Sequence, residues 1–257
     1  MRNNSRSYFA IVLLKSLEWV RWSLEDQIET VPFGRDPVLW EEGCRSDPVR
    51  NRIIVPDMLD RLARSQPNLI ADVGSGTGYI SRLAAVQHSR EDVRWILLEN
   101  DPRMVQLATD LTESDDLIEP VQYDILSSNE EWAGKFDLAF SCFASLDFGM
   151  NADIARSLIG LVRTGGTFVI YLPDLLEDVV QMCVRERSMD AIHAYRRGET
   201  SIFKPDRFTD QPEPFVAHRL EHCISHMLAA GTVMSDMRFL ERADDKRIVA
   251  MEFVRQE

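Results

Sequence analysis

Leu69-Ile-Ala-Asp-Val-Gly-Ser-Gly-Thr-Gly-Tyr-Ile80 passes, within one short stretch, from an apolar run through an acid to glycine at every second position. Leu69, Ile70, Ala71 and Val73 have the unbroken apolarity of a strand covered on both faces. Gly74, Gly76 and Gly78 remove the side chains that would keep a ligand off the backbone. From Tyr79 the apolar residues Ile80, Leu83, Ala84 and Val86 fall at helical spacing. The stretch reads as strand, tight turn and helix start, with backbone N–H groups presented at a helix N-terminus.

Dinucleotide-binding folds use a similar turn, so the surroundings must discriminate. The spacing is Gly-x-Gly-x-Gly, and the position where a dinucleotide fingerprint needs its last small residue holds Tyr79. Asp72, just before the turn, can meet an ammonium group, which S-adenosylmethionine carries and NAD lacks. Farther on, Val93 to Glu99 reads as a second strand ending on an acid, and a carboxylate there can accept both hydroxyls of a ribose. With these features, Ala71-Asp-Val-Gly-Ser-Gly-Thr-Gly78 resembles motif I of the class I S-adenosylmethionine-dependent methyltransferases, in a small-molecule branch similar to the ubiquinone and menaquinone biosynthesis enzymes.

The resemblance implies an α/β, Rossmann-like fold: a seven-stranded, mostly parallel sheet with helices on both faces and an antiparallel last strand. It covers roughly residues 50–257, apart from an insertion. The expected strands after the first two are Ile118 to Tyr123, Lys135 to Phe143, Thr167 to Leu172, Val233 to Leu240 and Arg247 to Phe253. Helices are expected over Val49 to Ala63, with a kink at Pro56, over Ala152 to Val162 and over His218 to Ala230. Arg163-Thr-Gly-Gly166 reads as a turn. Asn100-Asp-Pro-Arg-Met104 opens another helix, with Asp101 as N-cap and Pro102 in its first turn.

The resemblance also implies a set of cofactor residues. Asp72, Gly74, Ser75, Gly76, Thr77 and Gly78 form the cradle, Glu99 lies at the ribose, Asn100 belongs to the same cofactor set, and Met104 rests on the adenine. Asp124 meets the adenine amino group, and the backbone N–H of Ile125 meets a ring nitrogen. Ser141, Cys142 and Phe143 flank the methionine half, because open parallel sheets place ligands beyond the carboxyl ends of their strands. For Asp124, an ordinary turn acid is the competing reading.

Residues 7–30 carry Phe9, Val12, Leu13, Leu17, Val20, Leu24 and Ile28 at helical spacing. We expect an N-terminal helical lid segment over residues 1–48 and a methyltransferase domain over 49–257. Within the latter, residues 174–217 exceed what the sheet needs and read as a cap over the substrate, with helical spacing from Leu175 to Tyr195 and a turn-rich, aromatic second half from Phe203 to Phe215. Trp40 lines a substrate pocket or is simply buried.

Composition narrows the partners. With 42 acidic against 29 basic residues the formal charge is −13, which disfavours nucleic acid and anionic membrane surfaces. Cys44, Cys142, Cys183 and Cys223 include no C-x-x-C pair and read as reduced. The apolar patch from Tyr8 to Leu14 is interrupted by Lys15 and Glu18, and no run approaches the roughly 18 apolar residues that span a bilayer. A soluble cytoplasmic protein is the expectation, and a homodimer is compatible with it.

Histidine is the side chain suited to proton transfer near neutrality. His218 and His193 are therefore the candidate bases. His218, His222 and His226 recur every four residues, yet no ligand from another element accompanies them, so no metal is expected. The expected reaction is in-line methyl transfer to a small molecule, on oxygen first, with nitrogen or carbon open. A silent subunit that regulates a partner, or a protein methyltransferase, are the alternatives.

Overall fold

The computed structural model describes residues 36–257 except 89, 91, 128–129, 144–149, 175–179, 181–182, 185–188, 190–191, 194–200, 206–211, 217–219 and 241–247. The contacts divide the chain after Arg35, and the unit from Asp36 to Glu257 is the one described below. The predicted helices within residues 7–30 lie outside the described residues.

The unit opens with helix α1 (Pro37–Ser46), which starts where Pro37 fixes the first turn and the Asp36 carboxylate accepts from Val38 N at 2.8 Å. A π turn (Arg50–Ile54) then leads directly into α2 (Val55–Ser65). Pro56 has no N–H with which to continue the preceding ladder, and Val55 N donates five residues back, to Arg50 O. The kink predicted at Pro56 thus takes the form of a widened turn just before it.

The sheet strands are β1 (Leu69–Val73), β2 (Arg94–Glu99), β3 (Ile118–Gln122), β4 (Phe136–Cys142), β5 (Val162–Pro173), β8 (Thr232–Leu240) and β9 (Ile248–Arg255). Their order is β3-β2-β1-β4-β5-β9-β8. All pairs from β3 to β5 are parallel, whereas β9 runs antiparallel to both β5 and β8. The seven-stranded, mostly parallel sheet with its antiparallel last strand is as predicted. The chain winds outward from β1 in one direction and then crosses back to β4, so β1 and β4 flank the switch point. Helices α3 (Tyr79–Gln87), α4 (Pro102–Thr112), α5 (Ala152–Leu161) and α6 (Leu220–Ala229) complete the layers.

Alternate residues of each strand bury against opposite layers. Ala71, Val73, Ile96, Leu98 and Phe168 pack with Ile154, Leu158, Cys223 and Met227 of α5 and α6. Ile70, Trp95, Leu97, Phe140 and Tyr171 pack with Met58, Leu62, Ile80 and Ala108 of α2, α3 and α4. Burial on both faces explains why these strands read as continuous apolar runs. Between the layers, the buried Asp57 carboxylate accepts from Tyr171 Oη at 2.9 Å, Arg61 Nε at 2.7 Å and Arg238 Nη1 at 3.1 Å, tying α2 to β5 and β8.

Two local expectations change. Arg163 to Gly166 is no turn between α5 and β5 but part of β5, with the register against β4 slipping between Phe136 and Leu138. A Cβ on Gly166 would sit 2.6 Å from Val162 Cγ1, so glycine here serves close packing at the bulge. Within the insertion, Ser201–Pro205 (β6) and Pro212–Val216 (β7) pair as an antiparallel hairpin where the sequence reads as turn-rich. The helix predicted over the first half of the insertion falls mostly on residues outside the described set.

Asp137, second residue of β4, accepts from Asn68 N at 2.8 Å, Leu69 N at 3.1 Å and Arg163 Nε at 2.6 Å. It therefore aligns the starts of β1, β4 and β5. Asp137→Ala should destabilise the fold by about 1–3 kcal/mol, read from urea unfolding; an unchanged midpoint would contradict this role.

Candidate active site

The glycine turn follows β1 at the switch point. Gly74, Gly76 and Gly78 all have positive φ, at 69°, 57° and 72°. Their missing side chains are explained in part by the protein itself. A Cβ on Gly76 would lie 2.7 Å from the indole nitrogen of Trp40, and one on Gly78 would lie 2.3 Å from Leu97 Cδ1. Most of the turn's N–H groups are likewise engaged internally, contrary to the open array suggested by the sequence. Gly74 and Ser75 donate to Leu98 O at 2.8 and 3.3 Å, and Gly78 donates to Ser75 O at 2.9 Å.

Two carboxylates hold the turn. Glu99, at the end of β2, accepts from Gly76 N at 2.7 Å through Oε2, and from Asn100 N and Asp101 N at 2.8 and 2.9 Å through Oε1. Burial pushes its carboxyl above the usual range, against the pull of these three donors. Glu41 reaches in from α1 and accepts from the Thr77 hydroxyl at 2.6 Å, Arg82 Nη2 at 2.7 Å and Arg45 Nε at 2.9 Å. Burial alone would raise this carboxyl, but the three donors outweigh it and the group stays below its ordinary range.

Beside the turn opens a small cleft lined by Trp40, Cys44, Arg50, Asp72, Gly74, Ser75, Tyr79, Ile80 and Cys142. Asp72 is only 3% exposed and accepts from Ser81 Oγ at 2.7 Å. Burial raises its pKa to about 7, with Glu99 adding to the rise and Ser81 and Arg50 opposing it. Arg50, from the π turn, places its guanidinium 5.3 Å from the Trp40 ring centroid and 5.6 Å from that of Phe143, and it pairs with Asp47. Phe143 itself is held at φ 65°, an uncommon conformation for a bulky residue, just beyond the carboxyl end of β4.

The cleft thus contains one carboxylate and one guanidinium within reach of a single small ligand. The hydroxyls of Ser75 and Ser141 are buried without a hydrogen-bond partner among the described residues. Neither thiol is suited to act as a nucleophile. Burial lifts Cys44 to about 11 and drives Cys142 higher still.

Of the residues expected from the sequence, Asp72, Gly74, Ser75 and Cys142 come together in the cleft, with Ser141 and Phe143 adjoining Cys142 in the chain. Gly76, Thr77 and Gly78 shape the turn, and Thr77 is engaged by Glu41. Met104 and Ile125 are buried, whereas Asn100 is exposed. Asp124 accepts from Leu126 N at 2.9 Å, which also fits a turn acid. His193 is exposed and does not line the cleft, and His218 lies outside the described residues. Among the described residues no cluster of metal ligands is present.

Glu41 and Arg50 escape the sequence reading. In sequence each is one charged residue among many; the signal available for Glu41 is its place beside Trp40.

A family model described as a methyltransferase domain matches residues 68–219. No curated protein sequence matches the chain. Among solved structures, a SAM-dependent methyltransferase from Methanosarcina mazei is 16% identical, with a TM-score of 0.57 over 73% of this chain and 92% of its own. One from Aquifex aeolicus is 10% identical, with a TM-score of 0.57 over 85% and 98%. The N-methyltransferase NodS of Bradyrhizobium japonicum is 15% identical, with a TM-score of 0.51 over 82% and 99%. At such identities the likeness is one of fold.

Gly76→Ala should cost about 1–3 kcal/mol, since the new methyl meets the Trp40 indole at a backbone angle that favours glycine. Urea unfolding measures this, and combining it with Trp40→Ala should cost less than the sum of the two. Strict additivity would mean that the indole is not against the turn.

Proposed function

The chain belongs to the methyltransferase-domain family whose model spans residues 68–219, and from that premise we propose that it transfers the methyl group of S-adenosylmethionine to a small molecule. Oxygen is the first acceptor atom to test, followed by nitrogen and carbon. The observation that carries this reading is the pairing of Asp72 and Arg50 in one cleft beside the glycine turn. A carboxylate and a guanidinium set apart in one pocket suit the ammonium and carboxylate ends of an amino acid.

The residues present fit that donor. Asp72 has one neutral donor, Ser81, and can take an ammonium as a second. Arg50 has its guanidinium carbon over the Trp40 and Phe143 rings and Nη1 on Asp47, and its remaining N–H groups can meet a carboxylate. The unpartnered Ser75 hydroxyl faces a role at the same end. Glu99 uses three of roughly four acceptor positions on backbone donors, so one position remains for a ribose hydroxyl.

When bound, the donor supplies a methyl group already activated on a sulfonium. The protein's task is then to align and dehydrate the acceptor, and alignment alone can contribute roughly 7–11 kcal/mol. Residues 174–217 would cap the acceptor, the segment over residues 1–48 would act as lid, and His218 would serve as base for an oxygen acceptor. The net charge of −13 supports a small molecule in place of nucleic acid. Among the described residues no helix is long and apolar enough to cross a membrane; we place the enzyme in the cytoplasm, with a homodimer as its candidate assembly.

Calorimetric titration should show S-adenosylhomocysteine binding to the wild type. Asp72→Ala should abolish it and Arg50→Gln should weaken it about tenfold; unchanged affinities would dismiss the amino-acid clamp. The pH dependence has a definite sign. Below about 7 Asp72 holds a proton that an incoming ammonium must displace, so affinity should climb as pH rises from 5.5 toward about 7 and level off above it. Asp72→Asn should bind weakly with no such rise.

A further inference from the structure

We propose that Glu41 is a positioning residue for the donor site: from α1 it fixes the shape of the glycine turn through the Thr77 hydroxyl, so that α1 completes the cofactor cradle. The inference rests on the reading of the cleft as an S-adenosylmethionine site.

Glu41 is 5% exposed, yet it carries a carboxylate rather than an apolar side chain. Its three donors come from three elements: Arg45 on α1, Thr77 in the turn and Arg82 on α3. Replacing a buried ion pair by apolar packing is often neutral for stability, so stability alone does not require an acid at this place. Position does.

Thr77 bears the side chain between Gly76 and Gly78, both of which sit at positive φ and have no side chain of their own to restrain them. Its hydroxyl is the point at which an outside group can grip this part of the turn. Glu41 grips it at 2.6 Å, while Glu99 holds Gly76 N at 2.7 Å from the sheet. The neighbouring Trp40 covers Gly76 and carries Arg50 against its ring. Side chains 40 and 41 therefore meet the turn at consecutive residues, 76 and 77. The conformation that leaves Gly74 and Ser75 facing the cleft is the one that α1 and β2 hold between them. Docking of α1 and binding of the donor are then parts of one equilibrium.

The test uses the full-length protein titrated with S-adenosylhomocysteine, with thermal melts alongside. Glu41→Gln keeps the shape but opposes an amide N–H₂ to at least one of the donors, and should weaken binding about tenfold. Thr77→Val should do the same, Thr77→Ser should bind like the wild type, and the double variant E41Q/T77V should bind no more weakly than either single. A purely structural acid would lower the melting temperature and leave the affinity unmoved, which would overturn the proposal. So would additive losses in the double variant, which would assign the Thr77 hydroxyl to the ligand instead. If Glu41→Gln does not fold, Glu41→Asp, whose shorter side chain draws the carboxylate back from Thr77, takes its place alone and with Thr77→Val, and the same outcomes decide. A wild type that fails to bind would remove the cofactor reading itself, a result distinct from equal binding by wild type and variants.

Discussion

A turn made largely of glycine has no side chains with which to hold its own shape, so its geometry must be imposed from outside. Here carboxylates impose it. Glu99 receives three backbone N–H groups, one from Gly76 and two from the residues that follow it into α4. That single side chain joins the first βα turn to the second and fixes their spacing across the carboxyl edge of the sheet. Because a carboxylate accepts several donors at once, it can serve as a small hub where a neutral side chain would saturate.

The cost of this arrangement is electrostatic. Asp72 is buried and Glu99 half-buried at one edge; burial lifts both carboxyls, and Glu99 adds to the rise at Asp72. Asp72 titrates near 7 in the native state, whereas an unfolded aspartate titrates near 3.9. Between those values the native chain holds a proton that the unfolded chain gives up, so this group's contribution to stability falls as pH rises through the window. A bound ammonium reverses the balance by favouring the ionised form. A site of this kind is less favourable without its cation, and part of its binding selectivity follows from that.

How much of this is readable from sequence follows from where the information resides. β1 runs from Leu69 to Val73 and α3 begins at Tyr79, as the apolar run and the glycine spacing indicate, because both features are local and strongly periodic. Asp101 and Pro102 start α4 for the same reason. The bulged start of β5 was missed because Gly165-Gly166 has turn composition, while its pairing with β4 is a tertiary fact. The β6–β7 hairpin is hidden because Pro205 and Pro212, paired where the strands are joined, resemble loop punctuation. Glu41 and Arg50 belong to another class. A solvated helix acid and a buried one are written with the same letter, and only the fold brings Glu41 to Thr77 across 36 positions.

The asymmetry between donor and acceptor halves has a physical origin as well. The proposed donor site lies at the switch point of the sheet, where strand order brings the ends of β1, β2 and β4 together. Asp72 and Glu99 lie near the ends of β1 and β2, where register fixes them, whereas Arg50 comes from outside the sheet. An acceptor site made from an insertion has no such anchor, because nothing in the sheet dictates the length or composition of residues 174–217. Aligning an acceptor also requires less of any one side chain than gripping a zwitterion does, since the methyl group arrives activated and proximity supplies much of the rate. A fold of this type can therefore keep the proposed donor clamp of Asp72 and Arg50 while its insertion varies the molecule that is presented to it.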